Sequence, residues 1–85
     1  MTERAQPSDM TDIEIEYCVP CGYLDRALDL QRAVLSNFGQ SVDRATMVTG
    51  DHGVLQVRVD GDVVWDTADD EYDVDAVVRR VKAAL

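Results

Sequence analysis

The sequence predicts an α/β protein, a two-layer sandwich in which a four-stranded mixed sheet carries both of its helices on one face. The first observation behind this prediction is the alternation of apolar and acidic residues in residues 12–17, DIEIEY. Such alternation is typical of a half-buried strand, and the acidic side, Glu14 and Glu16, indicates that one face of the sheet is in water. The second observation is the order in which strand-like alternation and helical spacing of the apolar residues follow each other along the chain. This order is β-α-β-β-β-α. The strand–helix–strand unit predicts two parallel strands, and the final hairpin predicts two antiparallel ones.

The first helix is predicted to follow Gly22, where apolar residues begin to recur at helical spacing. Gln31 interrupts the side that we expect to be buried, which contains Leu24, Ala27, Leu28, Val34, Leu35 and Phe38. Gly39 comes next and can take a left-handed conformation without a Cβ clash, so we expect it to end the helix in that way.

Residues 44–50, RATMVTG, predict the second strand, and residues 54–66, VLQVRVDGDVVWD, predict a hairpin with its bend at Asp60-Gly61. A two-residue loop would put Asp62 and Asp66 on the apolar face. A three-residue loop with Gly61 left-handed would instead pair Arg58 with Asp62. It would also gather four apolar residues on one face, namely Leu55, Val57, Val63 and Trp65. We favour the three-residue loop, because a shift of one residue turns every side chain to the opposite face.

The last helix is predicted to begin after Asp73, whose side chain can cap the first turn. Its apolar residues have the spacing of one helical face: Val74, Val77, Val78, Val81 and Leu85. Residues 1–11 are polar and show no period. We therefore expect a mobile tail over residues 1–11 and one small domain over residues 12–85.

The charge of the chain is strongly negative, with 17 acidic residues, 8 basic ones and a net charge of −9. The excess of Asp over Glu and of Arg over Lys resembles that of proteins from extreme halophiles such as haloarchaea, so we interpret the charge as an adaptation to salt. The alternative interpretation is an acidic docking surface for basic partners. No basic stripe is present to neutralise phosphates, so we expect no nucleic-acid partner. No apolar run is long enough for a membrane span or a signal peptide, so we expect a cytoplasmic protein without membrane contact. The sequence leaves the oligomeric state open, with a monomer as the expectation.

The candidate site is the pair Cys18 and Cys21, the only cysteines in the chain, which lie between the first predicted strand and helix. Backbone N–H groups and the dipole at a helix start stabilise a thiolate, the reactive form of cysteine. The spacing also lets one sulfur attack a mixed disulfide formed at the other. A Cys-x-x-Cys pair in this position is typical of a redox-active centre. This interpretation requires two sulfurs that are close enough to bond and open enough to meet another thiol.

Two other roles for the cysteines stay open at this point. Structural zinc needs about four ligands, and the chain offers only His52 and carboxylates beyond the two thiols. A purely structural disulfide would close a loop of four residues, for which the chain-entropy model gives only about 2 kcal/mol. The location of the pair favours the redox role over both, and we expect no metal and no cofactor.

The segments YCVPCGYLDRALDL and VLQVRVDGDVVWD resemble the selenoprotein W-like family, the Rdx group of small thioredoxin-like proteins. The first block matches at Tyr17, Cys18, Cys21, Gly22 and Tyr23. The second block matches at Gly53, Leu55, Val57, Asp60 and Gly61, with Leu55 in a position that is aromatic in the family. The resemblance extends over about residues 13–85 and implies a thioredoxin-like fold. It also implies a thiol oxidoreductase with glutathione or protein thiols as partners.

The predicted function is therefore that of a thiol–disulfide oxidoreductase in which Cys18 and Cys21 are the catalytic pair. The alternative is a non-catalytic adaptor that forms a mixed disulfide with one protein partner. The helix-start argument favours Cys18 as the attacking residue, whereas the resemblance favours Cys21, because selenocysteine takes the second position in the family. Neither Pro7 nor Pro20 can supply the cis-proline that thioredoxin places beside its cysteines.

Overall fold

The computed structural model describes residues 11–85, so the predicted tail lies outside the described residues except for Thr11. The element order β-α-β-β-β-α is confirmed. The elements are β1 (Asp12–Cys18), α1 (Leu24–Phe38), β2 (Arg44–Gly50), β3 (Leu55–Val59), β4 (Asp62–Asp66) and α2 (Val74–Ala84). Within the described residues no helix is long and apolar enough to cross a membrane.

The four strands form one mixed sheet with the order β2-β1-β3-β4. β1 is central, parallel to β2 and antiparallel to β3, and β4 pairs antiparallel to β3. Ile13 and Ile15 of β1 are fully buried, whereas Glu14 and Glu16 alternate with them and are half-exposed. The predicted sheet, with one buried face and one polar face, is confirmed. We call the polar side the open face.

Both helices cover the buried face of the sheet, as predicted. α1 packs on β1 and β2, α2 packs on β4 and β3, and the two helices contact each other. The sheet and the helices share one core, which consists of Ile13, Ile15, Ala27, Leu30, Val34, Leu55, Val57, Val59, Trp65, Val77 and Val81. At α2 the predicted cap is confirmed, because Oδ1 of Asp73 accepts from the N–H groups of Asp75 (3.0 Å) and Ala76 (3.3 Å).

The buried side of α1 differs from the predicted one. Ala27, Leu30 and Val34 are the residues of α1 that are fully buried. Three predicted core residues are 43–45% exposed and form what we call the leucine flank: Leu24, Leu28 and Leu35. Successive residues of an α-helix are about 100° apart, so this flank lies to one side of the buried stripe. The sheet ends at β2, so an apolar flank that extends past this edge strand has no further strand of the described residues to pack on.

Gly39 ends α1 in a different way from the predicted one. Its φ of −54° and ψ of −30° are right-handed, so no left-handed cap is formed. A Cβ at this position would lie only 2.6 Å from the carbonyl oxygen of Leu35. The glycine is therefore needed for a close backbone approach. The N–H of Ser41 then bonds to the carbonyl of Phe38 at 2.8 Å.

The hairpin has the two-residue loop, so the favoured three-residue loop is wrong. Asp60 and Gly61 both have positive φ, 52° and 89°, and Val59 pairs with Asp62. A β-bulge then places one extra residue, Val64, on β4, which leaves Trp65 opposite Val57. The bulge restores the burial of Trp65, and the register argument overlooked it because that argument allowed only uninterrupted ladders. Val63 consequently lies outside the core and is 52% exposed.

Candidate redox site

Cys18 and Cys21 are joined by a disulfide, with their Cα atoms 5.3 Å apart. Cys18 is the last residue of β1, and Cys21 lies in the turn that follows it. The two sulfurs therefore meet the first requirement of a redox pair, which is that they can bond to each other within the folded chain.

The turn between the cysteines has the hydrogen-bond pattern of a Schellman motif. The N–H of Tyr23 donates to the carbonyl of Cys18 at 3.3 Å, and the N–H of Gly22 donates to the carbonyl of Val19 at 3.1 Å. Gly22 supplies the positive φ of 78° that this motif needs. Pro20 lies inside the turn, where its fixed φ and missing N–H are both tolerated.

The helix begins later than the sequence indicated. α1 starts at Leu24, and Tyr23 precedes it without a side-chain cap. Cys21 thus lies three residues before the helix and Cys18 six residues before it. The influence of a helix dipole falls off within about one turn, so the argument that favoured Cys18 loses its basis.

The two cysteines differ completely in exposure. Cys18 is fully buried, whereas Cys21 is exposed and Val19 beside it is 51% exposed. Cys18, which the helix-start argument favoured as the attacking residue, is therefore the inaccessible one of the two. Thiol–disulfide exchange needs access to only one of the two bonded sulfurs, because the incoming thiolate attacks one of them and releases the other. The condition that both sulfurs be open was stricter than the chemistry requires.

Backbone hydrogen bonds explain why Cys18 is buried. Its N–H donates to the carbonyl of Val54 at 2.8 Å, and the N–H of Val19 donates to the carbonyl of Gly50 at 3.0 Å. The connection between β2 and β3 is therefore held against the end of β1. By strand alternation Cys18 shares the side of Glu14 and Glu16. This parity was visible in the sequence and would have separated Cys18 from Tyr17, which packs on the helix side.

A charged network covers the open face beside Cys18. The guanidinium of Arg58 donates from Nε to Glu14 at 2.9 Å and from Nη1 to Glu16 at 3.0 Å. The hydrogen bonds to Glu16 and Glu14 raise the pKa of Arg58 above its ordinary value. Arg58 also donates to Gln56, which in turn donates to Asp66. Sequence analysis did not single out this network, although the matched parity of Glu14, Glu16 and Arg58 was a signal for it.

After the cysteine turn, the guanidinium of Arg26 makes cation–π contacts with the rings of Tyr23 and Tyr72. The guanidinium carbon of Arg26 lies 5.2 Å from the ring centroid of Tyr23 and 5.0 Å from that of Tyr72. The hydroxyl of Tyr72 donates to the carbonyl of Arg26 at 3.3 Å, and its ring meets Trp65 edge-on at 6.3 Å. Burial, followed by the charge of Asp29, raises the pKa of Tyr72, and Arg26 opposes that shift.

No metal-binding cluster lies within the described residues, and one surface depression that they form lies away from the cysteines. Among residues 11–85 no three His, Cys, Asp or Glu side chains come together in a way that could hold a metal ion. A surface depression of about 570 Å³ lies at the C-terminal end of α1 and is lined by residues 35–41. Because α1 is 15 residues long, this depression is roughly 20 Å from the cysteine turn.

The sequence model of the Rdx family matches residues 12–83, which is nearly the whole described chain. The chain belongs to the Rdx family. The match includes both cysteines, the turn between them and all six helices and strands. No curated protein sequence gives a match.

Solved structures of other proteins of this type have the same fold. A Bordetella parapertussis protein is 28% identical, with a TM-score of 0.81 over 88% of this chain and 98% of that one. A selenoprotein W-related protein of Vibrio cholerae is 19% identical, with a TM-score of 0.80 over 88% of this chain and 96% of that one. The thioredoxin-like fold predicted from the resemblance is confirmed.

Proposed function

We propose that this protein is a thiol–disulfide oxidoreductase in which Cys21 exchanges with external thiols and Cys18 is the buried resolving residue. The observation that carries the proposal is the bonded pair of which only Cys21 is exposed. An external thiolate can reach the sulfur of Cys21, while Cys18 stays in place as the leaving or the returning sulfur. Membership of a thioredoxin-like family supports the same chemistry.

The exchange proceeds in two balanced steps. A client thiolate attacks Sγ of Cys21, the Cys18–Cys21 bond breaks, and its electron pair leaves on Cys18, which takes up a proton. A second client thiolate then attacks the client sulfur of the mixed disulfide and releases Cys21 as a thiolate. The client has lost two electrons and formed a disulfide, and the cysteine pair has gained those two electrons. The same steps in reverse reduce a client disulfide.

The proposed partners are protein thiols or a low-molecular-weight thiol such as glutathione. We place the reaction in the cytoplasm, where a reduced thiol pool would return the pair to the dithiol after each cycle. In that compartment the direction of the reaction depends on the reduction potential of the pair relative to the pool.

The proposal is tested by equilibrating the protein with dithiol and glutathione buffers of known potential and counting free thiols by mass spectrometry. We expect a single two-electron transition. After reduction, brief alkylation of the native protein is expected to modify Cys21 long before Cys18. The proposal fails if no disulfide forms at any potential near the cytosolic range, or if Cys18 is alkylated first.

A further inference from the structure

The two edges of the sheet are protected to very different degrees. Exposed strand edges pair readily with other chains, and proteins usually block them with bulges, charges or covering groups. The β4 edge has all three: a bulge at Val64, acidic residues at both ends, Asp62 and Asp66, and Arg80, whose Nη1 donates to the carbonyl of Val64 at 3.3 Å. This edge is closed to strand addition.

The β2 edge, in contrast, is long and regular. Its seven residues pair with β1 without any break in register. The N–H of Arg44 donates to Thr11 and the carbonyl of Gly50 accepts from Val19, so the even-numbered residues direct their backbone groups toward β1 and its continuation. By the alternation of a parallel ladder, Ala45, Met47 and Thr49 direct theirs outward.

Only one of these outward groups has a partner within residues 11–85. Gln31 of α1 donates from Nε2 to the carbonyl of Ala45 at 2.8 Å. The outward N–H and C=O groups of Met47 and Thr49, which lie nearer to the cysteines, have no partner among the described residues. The half of the edge that leads to the site is therefore the open half.

Apolar side chains accompany this open edge. The leucine flank lies on the side of α1 from which Gln31 reaches β2, so it borders the same edge. At the end of β2 the bond between Val19 and Gly50 brings the edge to the cysteine turn, where Val19 is exposed. The backbone of β2, the leucine flank and Val19 therefore lie along one edge of the molecule, and this edge leads to the turn that contains Cys21.

The charges around this surface indicate what kind of segment it accepts. Asp25 and Asp29 lie on α1 near the leucine flank and Asp51 follows β2 directly, whereas Arg32 is the one basic residue of α1 near the flank; all four are exposed. The whole chain carries a net charge of −9. A second copy of this chain would bring the same negative charge to the edge, whereas a segment with basic residues would be attracted to it.

We infer that the edge of β2 binds an extended segment of a client protein, apolar and basic in composition, as a fifth strand that delivers its cysteine to Cys21. The inference rests on the proposed function and names its substrate class. Backbone pairing with Met47 and Thr49 supplies the affinity, and alternate apolar side chains of the client contact the leucine flank. At about 3.3 Å per residue for any strand, a client segment of about seven residues matches the length of the edge.

The test compares two mixed disulfides that release the same aryl thiolate, one made from glutathione and one from a ten-residue peptide. The peptide alternates valine and lysine and has one cysteine near its end. Reduced protein is mixed with each probe, and the rate constant of aryl thiolate release is measured at low ionic strength. We expect the peptide to react at least about tenfold faster than glutathione, and an acidic version of the peptide to lose most of that advantage.

Two matched variants separate strand pairing from general reactivity. Met47→Pro removes an outward N–H from the β2 edge without breaking the ladder to β1, and it also removes a side chain that packs against the core. Val63→Pro makes the corresponding change on the β4 edge, away from the proposed surface. We expect Met47→Pro to lower the peptide-to-glutathione ratio by about fivefold, roughly the effect of one hydrogen bond, and Val63→Pro to leave it unchanged. Thermal unfolding of both variants checks that they fold.

The outcomes are distinguishable. If both probes react at equal rates, or if Met47→Pro leaves the ratio unchanged, the inference is wrong while the proposed function stands. If neither probe reacts with the reduced protein, the proposed function itself fails. If sedimentation shows a dimer that Met47→Pro dissociates, the occupant of the edge is a second copy and the client inference is overturned. A peptide methylated at alternate backbone nitrogens provides a check from the client side, because it keeps the charge of the parent peptide and should still react more slowly than that peptide.

Discussion

The carboxylate of Glu16 lies over Gly50 on the neighbouring strand, so that a Cβ at position 50 would come within 2.7 Å of Oε2 of Glu16. The same Cβ would lie 2.8 Å from Cγ1 of Val54. Gly50 is the register partner of Cys18, and Glu16 is held by Arg58. The missing side chain at position 50 thus leaves room for the charged network beside the buried cysteine.

We expect Gly50→Ala to destabilise the protein by about 1–3 kcal/mol in urea unfolding, because it overfills this space. Combining it with Glu16→Ala should recover part of the loss, since the two groups compete for the same volume. Gly53→Ala is the control: it has a φ of 79° and no atom within 4 Å, so its cost comes from the backbone alone. If Glu16→Ala changes the cost of both alanine substitutions equally, the proposed contact is not the cause.

Arg58→Lys is expected to lower the free energy of unfolding by about 1–2 kcal/mol. Lysine keeps the charge but cannot bond to Glu14 and Glu16 from two separate nitrogens, and the side chain is only 19% exposed. Because the folded pKa of Arg58 is raised, its contribution is complete below the pKa of the unfolded chain and is lost only as pH rises through the folded value, far above neutral pH. The deprotonation of Arg58 therefore causes no change in stability between pH 5 and 9.

The control for this prediction is Arg44→Lys. Arg44 pairs with Asp12 and Asp43, but its side chain is 65% exposed, and exposed pairs contribute little. We expect Arg44→Lys to lower the free energy of unfolding by less than about 0.5 kcal/mol. Equal losses in the two variants, measured by urea unfolding at pH 7, would contradict the special role assigned to Arg58.

Replacing one cysteine at a time should give opposite results in trapping experiments. In Cys18→Ser the exposed Cys21 can form a mixed disulfide that has no internal thiol to resolve it, so covalent complexes should accumulate. In Cys21→Ser the remaining thiol is buried, and few complexes should form. Gel electrophoresis without reductant, followed by mass spectrometry, identifies the partners.

The pattern of trapped partners also distinguishes the enzyme from the adaptor. Many partners in substoichiometric amounts favour turnover on clients, whereas one partner in stoichiometric amount favours an adaptor. More trapping by Cys21→Ser than by Cys18→Ser would reverse the roles assigned to the two sulfurs.

Tyr72→Phe should make the fold less sensitive to alkali. The raised pKa of Tyr72 means that the unfolded chain ionises first, so the contribution of this residue is complete below about pH 10, the unfolded value. It is lost as pH rises through the folded pKa. Denaturant midpoints between pH 8 and 11 should therefore fall less steeply in the variant.

Tyr72→Phe keeps the ring on Arg26 and Trp65 and removes only the hydroxyl that donates to Arg26. At pH 7 we expect the free energy of unfolding of the variant to be lower by about 1 kcal/mol, because that hydrogen bond is missing. Identical alkaline slopes in the variant and the wild-type protein would show that other groups control the transition.

The sequence was sufficient for the order of the elements, the side of β1 that is buried and the cap of α2. Each of these depends on a local signal, namely alternation in residues 12–17 or a single side chain at Asp73. The leucine flank shows where local signals end. Leu24, Leu28 and Leu35 have the spacing of a buried stripe, but whether anything covers them depends on where the sheet stops, and that is a property of the assembled fold.

The position of the two cysteines between β1 and α1 was predicted, but the difference in their exposure was not. Whether a cysteine at the end of a strand is buried depends on which other segment of the chain packs against it. Here that segment contains Val54, more than 30 residues away along the chain, whose carbonyl accepts from the N–H of Cys18. The predicted hairpin register was wrong for a related reason. The position of the extra residue Val64 depends on the burial of Trp65 rather than on the turn sequence.

The backbone of Cys18 is tied on two sides, through its N–H to Val54 and through its carbonyl to Tyr23. Breaking the sulfur–sulfur bond leaves both of these ties in place, so the central strand keeps its position whatever the oxidation state. Any change of shape on reduction is then restricted to the four residues from Val19 to Gly22. A partner that distinguishes the oxidised protein from the reduced one is therefore expected to bind this short surface loop, because the rest of the molecule is expected to keep the same structure in both states.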